Sequence, residues 1–241
     1  MDLRKIIKAN MEALRSNPYP GRGIVIGQSP DGRHFVQVYW IMGRSENSRN
    51  RVFVQEGDVV RTASYDAARV KDPTLIIYNV ARVSGRAHIV SNGDHTDTIF
   101  EALAQGKTFE QALYTRTYEP DAPNYTARIA GIVSLDDPVH AYQLAIIKTI
   151  GGNPNLPMRS VYGYARGIPG AGHYIATYSG DGNPLPCFEG EPRLVEIRND
   201  AEATLDLYWA ALNPENKVAL MVKFIAVGTG VSFIRIVNKN V

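Results

Sequence analysis

Residues 35–42 read FVQVYWIM and lead directly into residues 43–51, GRSENSRNR. The first segment is strongly apolar and predicts a strand, whereas the second holds three arginines, two serines, two asparagines and one glutamate. A hydrophobic strand therefore delivers a dense polar cluster to its own end. Arginine forks, hydroxyls and amides suit a small anionic ligand such as a phosphorylated nucleotide. A solvated loop after a strand has the same composition.

The strand predicted at residues 34–42 has a partner just before it, at residues 22–27 (RGIVIG). Between the two, the segment Ser29-Pro30-Asp31-Gly32 has proline at the second turn position and glycine at the fourth, which is typical of a type I turn. We therefore predict a β-hairpin. Before it, the apolar spacing in residues 2–15 predicts a short amphipathic helix.

The rest of the chain is dominated by further strands and hairpins. Strands are predicted at residues 52–54, 59–61, 74–83, 87–90, 125–134, 139–149, 193–198, 217–227 and 231–237, with two more inside 150–193. Capping patterns predict three helices, which begin at Thr98 with Glu101, at Thr108 with Gln111, and at Asn199 with Glu202.

These elements are mostly hairpin-connected strands with four helices, without the long alternating βα units of a doubly wound parallel sheet. We expect an α+β fold in which two mainly antiparallel sheets stack and pairs of helices cover their outer faces. The sequence contains no linker run, low-complexity tract or internal repeat. Residues 1–241 are therefore expected to form a single domain.

The composition is that of a globular protein, with 44% apolar and 21% charged residues. A net charge of +2 argues against nucleic-acid binding by bulk electrostatics. The single cysteine, Cys187, forms no internal disulfide, and no CxxC pair is present to bind zinc. No run approaches ~18 apolar residues, and the N-terminus lacks a signal-peptide core. We expect a cytoplasmic protein without a membrane partner.

Three further polar clusters lie near predicted strand ends. Tyr78 with Asn79 and Arg82 is one, and its tyrosine is either a core residue or a proton-transfer group. Residues 91–97 (SNGDHTD) suit either an anion cradle or an ordinary N-cap loop. Their histidine has no second histidine at ligand spacing, so we expect no metal site. Residues 119–128 (EPDAPNYTAR) offer Glu119 or Asp121 as a general acid or base.

Taken together, these segments resemble the stand-alone IMP cyclohydrolase family known from archaea. The matching pieces follow one another in family order over about the first 130 residues. They are residues 19–27 (YPGRGIVIG), Arg44-Ser45 with Asn50-Arg51, residues 77–83 (IYNVARV), residues 90–97 (VSNGDHTD) and residues 124–129 (NYTARI). The second half matches only in pattern. The helix before Tyr19, the extra residues 46–49 and the Gly/Pro-rich loops in 150–193 depart from the family.

The resemblance implies a four-layer α/β/β/α sandwich like that of the N-terminal-nucleophile hydrolases. It also implies an enzyme of de novo purine biosynthesis, a hydrolase acting on cyclic amidines. Its reaction would close the purine ring of 5-formamidoimidazole-4-carboxamide ribonucleotide (FAICAR) to give IMP and water. The substrate would be a purine ribonucleotide, no metal or redox cofactor would be needed, and we expect a homo-oligomer.

The chemistry of ring closure suggests roles for the polar residues. Arg44 is expected to stabilise the oxyanion, and Tyr78 and Glu119 to relay protons. Substrate contacts are expected from Arg22, Asn47, Arg49, Arg51, Asn92, Gly93, His95, Thr96, Asn124 and Arg128. Two alternatives remain: an amidohydrolase on the same fold, which would need an activated Ser, Thr or Cys, and a nucleotide-binding sensor without turnover.

Overall fold

The computed structural model describes residues 2–70 and 76–241. Within these residues the α-helices are α1 (Leu3–Ser16), α2 (Glu46–Arg49), α3 (His95–Ala104), α4 (Phe109–Tyr114) and α5 (Ala201–Ala211), and a short 3-10 helix spans Ala67–Arg69. The strands are β1 (Gly23–Gln28), β2 (His34–Met42), β3 (Arg51–Glu56), β4 (Val59–Ser64), β5 (Asn79–Ser84), β6 (Ala87–Ser91), β7 (Arg128–Ser134), β8 (Tyr142–Ile150), β9 (Asn153–Tyr164), β10 (Ala171–Ala176), β11 (Arg193–Glu196), β12 (Lys217–Ala226) and β13 (Ser232–Asn238).

The strands form two antiparallel sheets. The six-stranded sheet has the order β11-β10-β1-β2-β12-β13, and the seven-stranded sheet runs β3 to β9 in chain order. The predicted first hairpin is confirmed, with Ser29 N donating to His34 O at 2.9 Å across its turn. Gly32 adopts a φ of 72° there, a backbone conformation that glycine adopts without strain.

Strand β2 is covered on both faces, which explains its unbroken apolar sequence. The Tyr39 ring stacks on Phe53 of the seven-stranded sheet, 5.7 Å between centroids. The next residue, Trp40, points the other way and stacks on Tyr208 of α5 at 6.0 Å. Because successive side chains of a strand point to opposite faces, a strand between two layers needs apolar residues at nearly every position.

Helices close the outer faces of both sheets. Helices α3 and α4 bury Ile99, Phe109 and Leu113 against the outer face of the seven-stranded sheet. Helices α1 and α5 bury Leu14 and Tyr208 on the other side, in a cluster shared with the six-stranded sheet. The α/β/β/α sandwich expected from the sequence is therefore confirmed. Among the described helices, none has the length and apolarity needed to span a bilayer.

Several predicted boundaries were wrong for identifiable reasons. Helix α3 begins at His95, so Thr98 lies inside it and caps nothing. Helix α5 is capped by Asp200, whose carboxylate accepts from Ala203 N, and not by Asn199. Strand β7 begins only at Arg128 because Tyr125 has a positive φ of 44°, which breaks an extended chain.

The strand predicted at residues 74–83 begins later among the described residues. Residues 74 and 75 lie outside the described part of the chain, and the ladder begins at Asn79. The two strands expected within the Gly/Pro-rich region 150–193 are present as β9 and β10, and the described residues form thirteen strands in all. Tyr78 lies just before β5, where its N–H donates to Thr62 Oγ1 at 2.9 Å.

Candidate active site

A cavity of about 280 Å³ opens where β2 ends. Its lining is mostly polar and comes from four separate parts of the chain. The lining residues are Tyr19, Gly21, Arg22, Met42, Arg44, Ser45, Ser48, Arg51, Asp121, Asn124, Thr126, Tyr178 and Leu185. Three arginines, two tyrosines and three hydroxyl residues therefore face one small volume, which suits an anionic ligand with many hydrogen-bonding groups.

The polar segment after β2 is a helical turn rather than an open loop. The hydroxyl of Ser45 accepts from Ser48 N at 3.1 Å, and Ser45 N donates back to Ser48 Oγ at 3.0 Å, which forms a capping box for α2. A Cβ on Gly43 would lie 2.6 Å from Ser48 Oγ and 2.8 Å from the Ser48 carbonyl. Glycine at this position lets the chain fold back over the end of β2.

The helical turn directs its arginines to opposite sides. Arg51 is 1% exposed and lines the cavity, where its Nε donates to Ser48 O at 2.8 Å and its Nη2 to Met42 O at 3.2 Å. Its Nη1 has no acceptor among the described residues. Arg49 does not line the cavity, since it binds Gly43 O at 2.9 Å and Asn216 Oδ1 at 3.1 Å. Asn47 is half-buried and is also absent from the lining.

Arg22, which directly precedes β1, enters the cavity and forms an ion pair with a buried carboxylate. Its Nη2 lies 2.7 Å from Glu119 Oε2, and its Nε has no acceptor among the described residues. Glu119 is 3% exposed and does not line the cavity. Burial raises the pKa of the Glu119 carboxyl, although Arg22 opposes that shift. Glu119 therefore contacts Arg22 from the side away from the cavity.

Tyr78 also lies behind the cavity wall. Its hydroxyl and that of Tyr39 are 2.9 Å apart, and both residues are buried. Burial raises the pKa of Tyr39 well above its ordinary value, with Tyr78 adding to the shift. Tyr78 is not among the lining residues, but it interacts electrostatically with Arg22. Burial lowers the pKa of the Arg22 guanidinium, whereas Glu119 and then Tyr78 raise it, and the net shift is upward.

Arg44 stands at the exposed mouth of the cavity. Its Nη1 lies 2.5 Å from Asp181 Oδ1 and 3.0 Å from Gly182 O, so it connects to the loop after β10. Its guanidinium lies over the Tyr19 ring at 5.1 Å, and that ring stacks on Tyr178 at 5.9 Å. The arginine side chain and the aromatic pair form one wall of the cavity.

Asn124 joins two of the loops that border the cavity. It lines the cavity, and its Oδ1 accepts from Leu185 N at 3.1 Å. Its own N–H donates to Asp121 O at 3.0 Å. The loop around residue 185 and the segment before β7 are therefore tied together beside the cavity.

The cluster at residues 91–97 braces the fold instead of lining the cavity. Asn92 bridges two backbone groups, with Nδ2 donating to Ala127 O at 3.0 Å and Oδ1 accepting from Ile129 N at 2.7 Å. His95 Nε2 lies 3.1 Å from Ile129 O. Asn92, Gly93, His95 and Thr96 are all buried, and none lines the cavity.

Arg128 belongs to the same brace. Its Nη1 donates to Asp94 Oδ1 at 2.7 Å and its Nε to Thr117 O at 2.8 Å, and Arg128 does not line the cavity. Burial, and then Arg128, lower the pKa of His95 to about 3, so this imidazole is neutral. Among the described residues, no group of three or more His, Cys, Asp or Glu side chains is arranged to hold a metal.

Nine of the thirteen lining residues were not predicted as site residues, among them four with polar side chains outside residues 43–51. Tyr19, Asp121, Thr126 and Tyr178 all face the cavity. Asp121 is one of the two acid or base options that the sequence offers, and Tyr19 and Thr126 lie in segments that match the family. Nothing in the sequence indicated that Tyr178 meets Thr126, which lies 52 positions earlier. Tyr178 follows β10 and Thr126 precedes β7, which belong to different sheets, so only the tertiary fold establishes the contact.

Cys187 offers no support for the amidohydrolase alternative. It is not among the residues that line the cavity. Burial raises the pKa of its thiol, which favours the protonated, less nucleophilic form.

The chain matches a family model described as "IMP cyclohydrolase-like protein" over residues 19–229. This range includes every residue that lines the cavity.

Three relatives from archaea are each named IMP cyclohydrolase. The protein of Methanococcus maripaludis strain S2 is 32% identical over 129 residues, which cover 52% of this chain and 62% of that relative. The protein of Haloarcula marismortui is 35% identical over 49% of this chain and 56% of its own length. That of Methanocaldococcus jannaschii is 32% identical over 48% and 56%. The matched part of the chain thus spans less than two thirds of each relative. Because the family model covers most of the chain, this protein belongs to the family of IMP cyclohydrolase-like proteins.

Proposed function

We propose that the protein is an IMP cyclohydrolase, which closes the imidazole ribonucleotide FAICAR to IMP and water. One observation carries the proposal within the family: Arg22, Arg44 and Arg51 converge with two tyrosines on a single cavity. A ribonucleotide monophosphate presents an anionic phosphate and a planar base, for which guanidinium groups and aromatic rings are suitable partners.

Ring closure places definite demands on the cavity. The carboxamide nitrogen attacks the formyl carbon, and two protons leave nitrogen atoms while the formyl oxygen departs as water. An amide nitrogen is a weak nucleophile, so holding the two groups in contact supplies much of the rate enhancement. The remainder comes from stabilising the oxyanion and from moving protons.

We assign the stabilisation of the oxyanion to Arg22 rather than to Arg44. The Arg22 side chain is only 13% exposed and has an Nε–H without an acceptor among the described residues. A donor in a site from which water is excluded stabilises developing charge more strongly than one at the surface. The Arg44 side chain is 38% exposed and already paired with Asp181.

We assign the binding of the 5′-phosphate to Arg44 and Arg51, together with the hydroxyls of Ser45 and Ser48. All four residues come from one segment and line the same cavity. The buried Nη1 of Arg51 is without an acceptor among the described residues, which supports this assignment. Asn124 is then left to contact the base or the ribose.

Tyr78 and Glu119 enter the proposal as positioning residues. Each is buried next to Arg22 and absent from the cavity lining, so we propose that they act through this arginine. We assign no direct substrate contact to the buried group 92–96 or to Arg128, Arg49 and Asn47. The bracing contacts of Asn92, His95 and Arg128 support a role in holding the segment that carries Glu119.

The reaction is neither an oxidation nor a reduction, and we propose that it needs no cofactor.

We further propose that residues 1–241 form one domain and that the enzyme is a cytoplasmic homo-oligomer. Light scattering on the purified protein tests the oligomeric state, and a monomer at every concentration would contradict it.

The proposed activity is tested by incubating the purified, EDTA-treated protein with FAICAR and identifying the product by chromatography. We expect conversion to IMP. Unchanged substrate in the presence of excess folded protein would contradict the proposal. Tight IMP binding without any conversion would instead support the nucleotide-sensor alternative.

A further inference from the structure

Three side chains on the cavity wall form a continuous hydrogen-bonded chain. The Tyr178 hydroxyl lies 2.5 Å from Thr126 Oγ1. The same Thr126 oxygen contacts Asp121 Oδ2, while Thr126 N donates to Asp121 Oδ1 at 2.7 Å. All three residues line the cavity, whereas Tyr78 and Glu119 do not.

The protons in this chain can point in only one direction. An ionised carboxylate only accepts hydrogen bonds, so the Thr126 hydroxyl must donate its single proton to Asp121. The lone pairs of Thr126 then accept from the Tyr178 hydroxyl, which must be the donor. The phenolic oxygen of Tyr178 keeps its own lone pairs for a group in the cavity.

We propose that Tyr178, Thr126 and Asp121 form the proton relay that deprotonates the attacking nitrogen of the substrate, with Tyr178 as the catalytic residue in contact with it. This inference rests on the proposed ring closure and names the group that performs its first proton transfer.

The surroundings of Tyr178 fit this role. Its ring is held by stacking on Tyr19 at 5.9 Å and by the close approach of Gly21, where a Cβ would lie 2.5 Å from Tyr178 Cδ2. Burial raises the pKa of Tyr178 and Arg22 opposes the shift, so the free phenol stays protonated. A phenol that passes its own proton on while it accepts another never has to become a tyrosinate.

The step balances in protons and electrons. The nitrogen lone pair forms the bond to the formyl carbon, and the carbonyl π electrons move to the oxygen, which becomes the oxyanion facing Arg22. The N–H proton passes to the Tyr178 oxygen, the Tyr178 proton to Thr126, and the Thr126 proton to Asp121. The substrate thus loses one proton and Asp121 gains it.

The same chain then restores itself. The proton on Asp121 returns through Thr126 and Tyr178 to the oxyanion, which becomes a hydroxyl group. This hydroxyl leaves as water with the second proton, which comes from the former formamido nitrogen as the new C=N bond forms. The enzyme ends in its starting protonation state, without a metal or an external acid.

The test compares kcat and KM of Tyr178→Phe, Thr126→Val and Asp121→Asn with the wild type, using FAICAR as substrate. We expect each variant to lower kcat by about 10²- to 10⁴-fold, the usual contribution of a general base, with KM changing less than about fivefold. Thr126→Ser restores a hydroxyl at the same position and should recover most of the turnover that Thr126→Val loses. Tyr114→Phe, at an exposed tyrosine away from the cavity, is the matched control and should keep the wild-type kcat.

A purely structural role is excluded by measuring IMP affinity and the thermal midpoint of each variant, both of which should stay near the wild-type values. Wild-type kcat in Tyr178→Phe and Asp121→Asn would overturn the relay while leaving the proposed function intact. Thr126→Ser as slow as Thr126→Val would also overturn it, because the hydroxyl would then not be the group that matters. A folded wild type that forms no IMP would overturn the proposed function and the relay together.

Discussion

The carboxylate of Glu119 holds the guanidinium of Arg22 from behind, with 2.7 Å between Oε2 and Nη2, and leaves the Arg22 Nε without an acceptor among the described residues. Glu119 is itself anchored through its backbone N–H, which donates to Thr126 O at 2.9 Å. The ion pair therefore links the residue that precedes β1 to the segment that carries Asp121 and Thr126. An arginine fixed in this way can act on charge that develops in the cavity.

Replacement of Glu119 by Gln is expected to reduce turnover through Arg22. The amide keeps one hydrogen bond but not the charge that holds the guanidinium, and a misplacement of about 1 Å costs roughly 10²-fold in rate. We expect kcat to fall by about that factor, with a smaller change in KM. The unfolding free energy should fall by about 1–3 kcal/mol, because a buried charge loses its partner. Wild-type turnover in this variant would show that Glu119 is not needed to position Arg22.

Arg51 and Arg49 should differ sharply on substitution by Met. Arg51→Met removes a buried guanidinium from the cavity, and the loss of charge-assisted hydrogen bonds should raise KM for FAICAR about 10- to 100-fold. Arg49→Met removes contacts to Gly43 and Asn216 outside the cavity and should raise KM much less. A larger effect at Arg49 would reverse the assignment. Arg33→Met, at an exposed position, is the unrelated control.

The turn that carries these arginines should be sensitive to one methyl group. Gly43→Ala places a Cβ within 2.8 Å of the Ser48 backbone, which a side-chain rotation cannot relieve. We expect it to destabilise the protein by about 1–3 kcal/mol. Gly180→Ala is the matched control, since a Cβ there meets nothing within 4 Å. Equal denaturation midpoints for the two variants would show that the turn has room to adjust.

Acid should destabilise the fold through His95. Burial and Arg128 lower the pKa of His95 to about 3 from an ordinary value of 6.5. Between pH 6.5 and about 3, the imidazole of the unfolded chain therefore binds a proton that the folded protein does not bind. This contribution to stability is complete above pH 6.5 and is lost as the pH falls toward 3, by up to about 1.4 kcal/mol per pH unit.

The matching measurement is urea unfolding of wild type and His95→Gln between pH 7.5 and 4. The variant should lose less stability on acidification than the wild type, after the difference at pH 7.5 is subtracted. That subtraction removes the packing cost of the substitution. Parallel stability curves for the two proteins would contradict the assignment of a neutral, buried imidazole.

The layered fold could be predicted because its signals are local. The apolar run of residues 35–42 requires cover on both faces, and Tyr39 and Trp40 meet that cover on opposite sides. The turn at residues 29–32 specifies the first hairpin directly. The helix start predicted at Thr98 was wrong because a threonine followed three residues later by a glutamate occurs inside helices as well as at their ends.

The cavity could be predicted only in part, since its members meet through tertiary contacts. Composition predicts a ligand-binding role for residues 43–51, but only the folded turn shows that Arg51 points inward and Arg49 outward. Residues 92–96 have the composition of an anion-binding loop. Only the hydrogen bonds of Asn92 to Ala127 and Ile129 show that this loop instead supports the start of β7. Tyr178 and Thr126 carry no local signal for their contact.

The central claim is tested most directly by a continuous absorbance assay of ring closure with wild type and Arg22→Met side by side. We expect the EDTA-treated wild type to form IMP with saturation kinetics. The kcat of Arg22→Met should be at least about 10²-fold lower, because the oxyanion loses its buried donor. A wild type without activity, or an Arg22→Met variant with the wild-type kcat, would contradict the account.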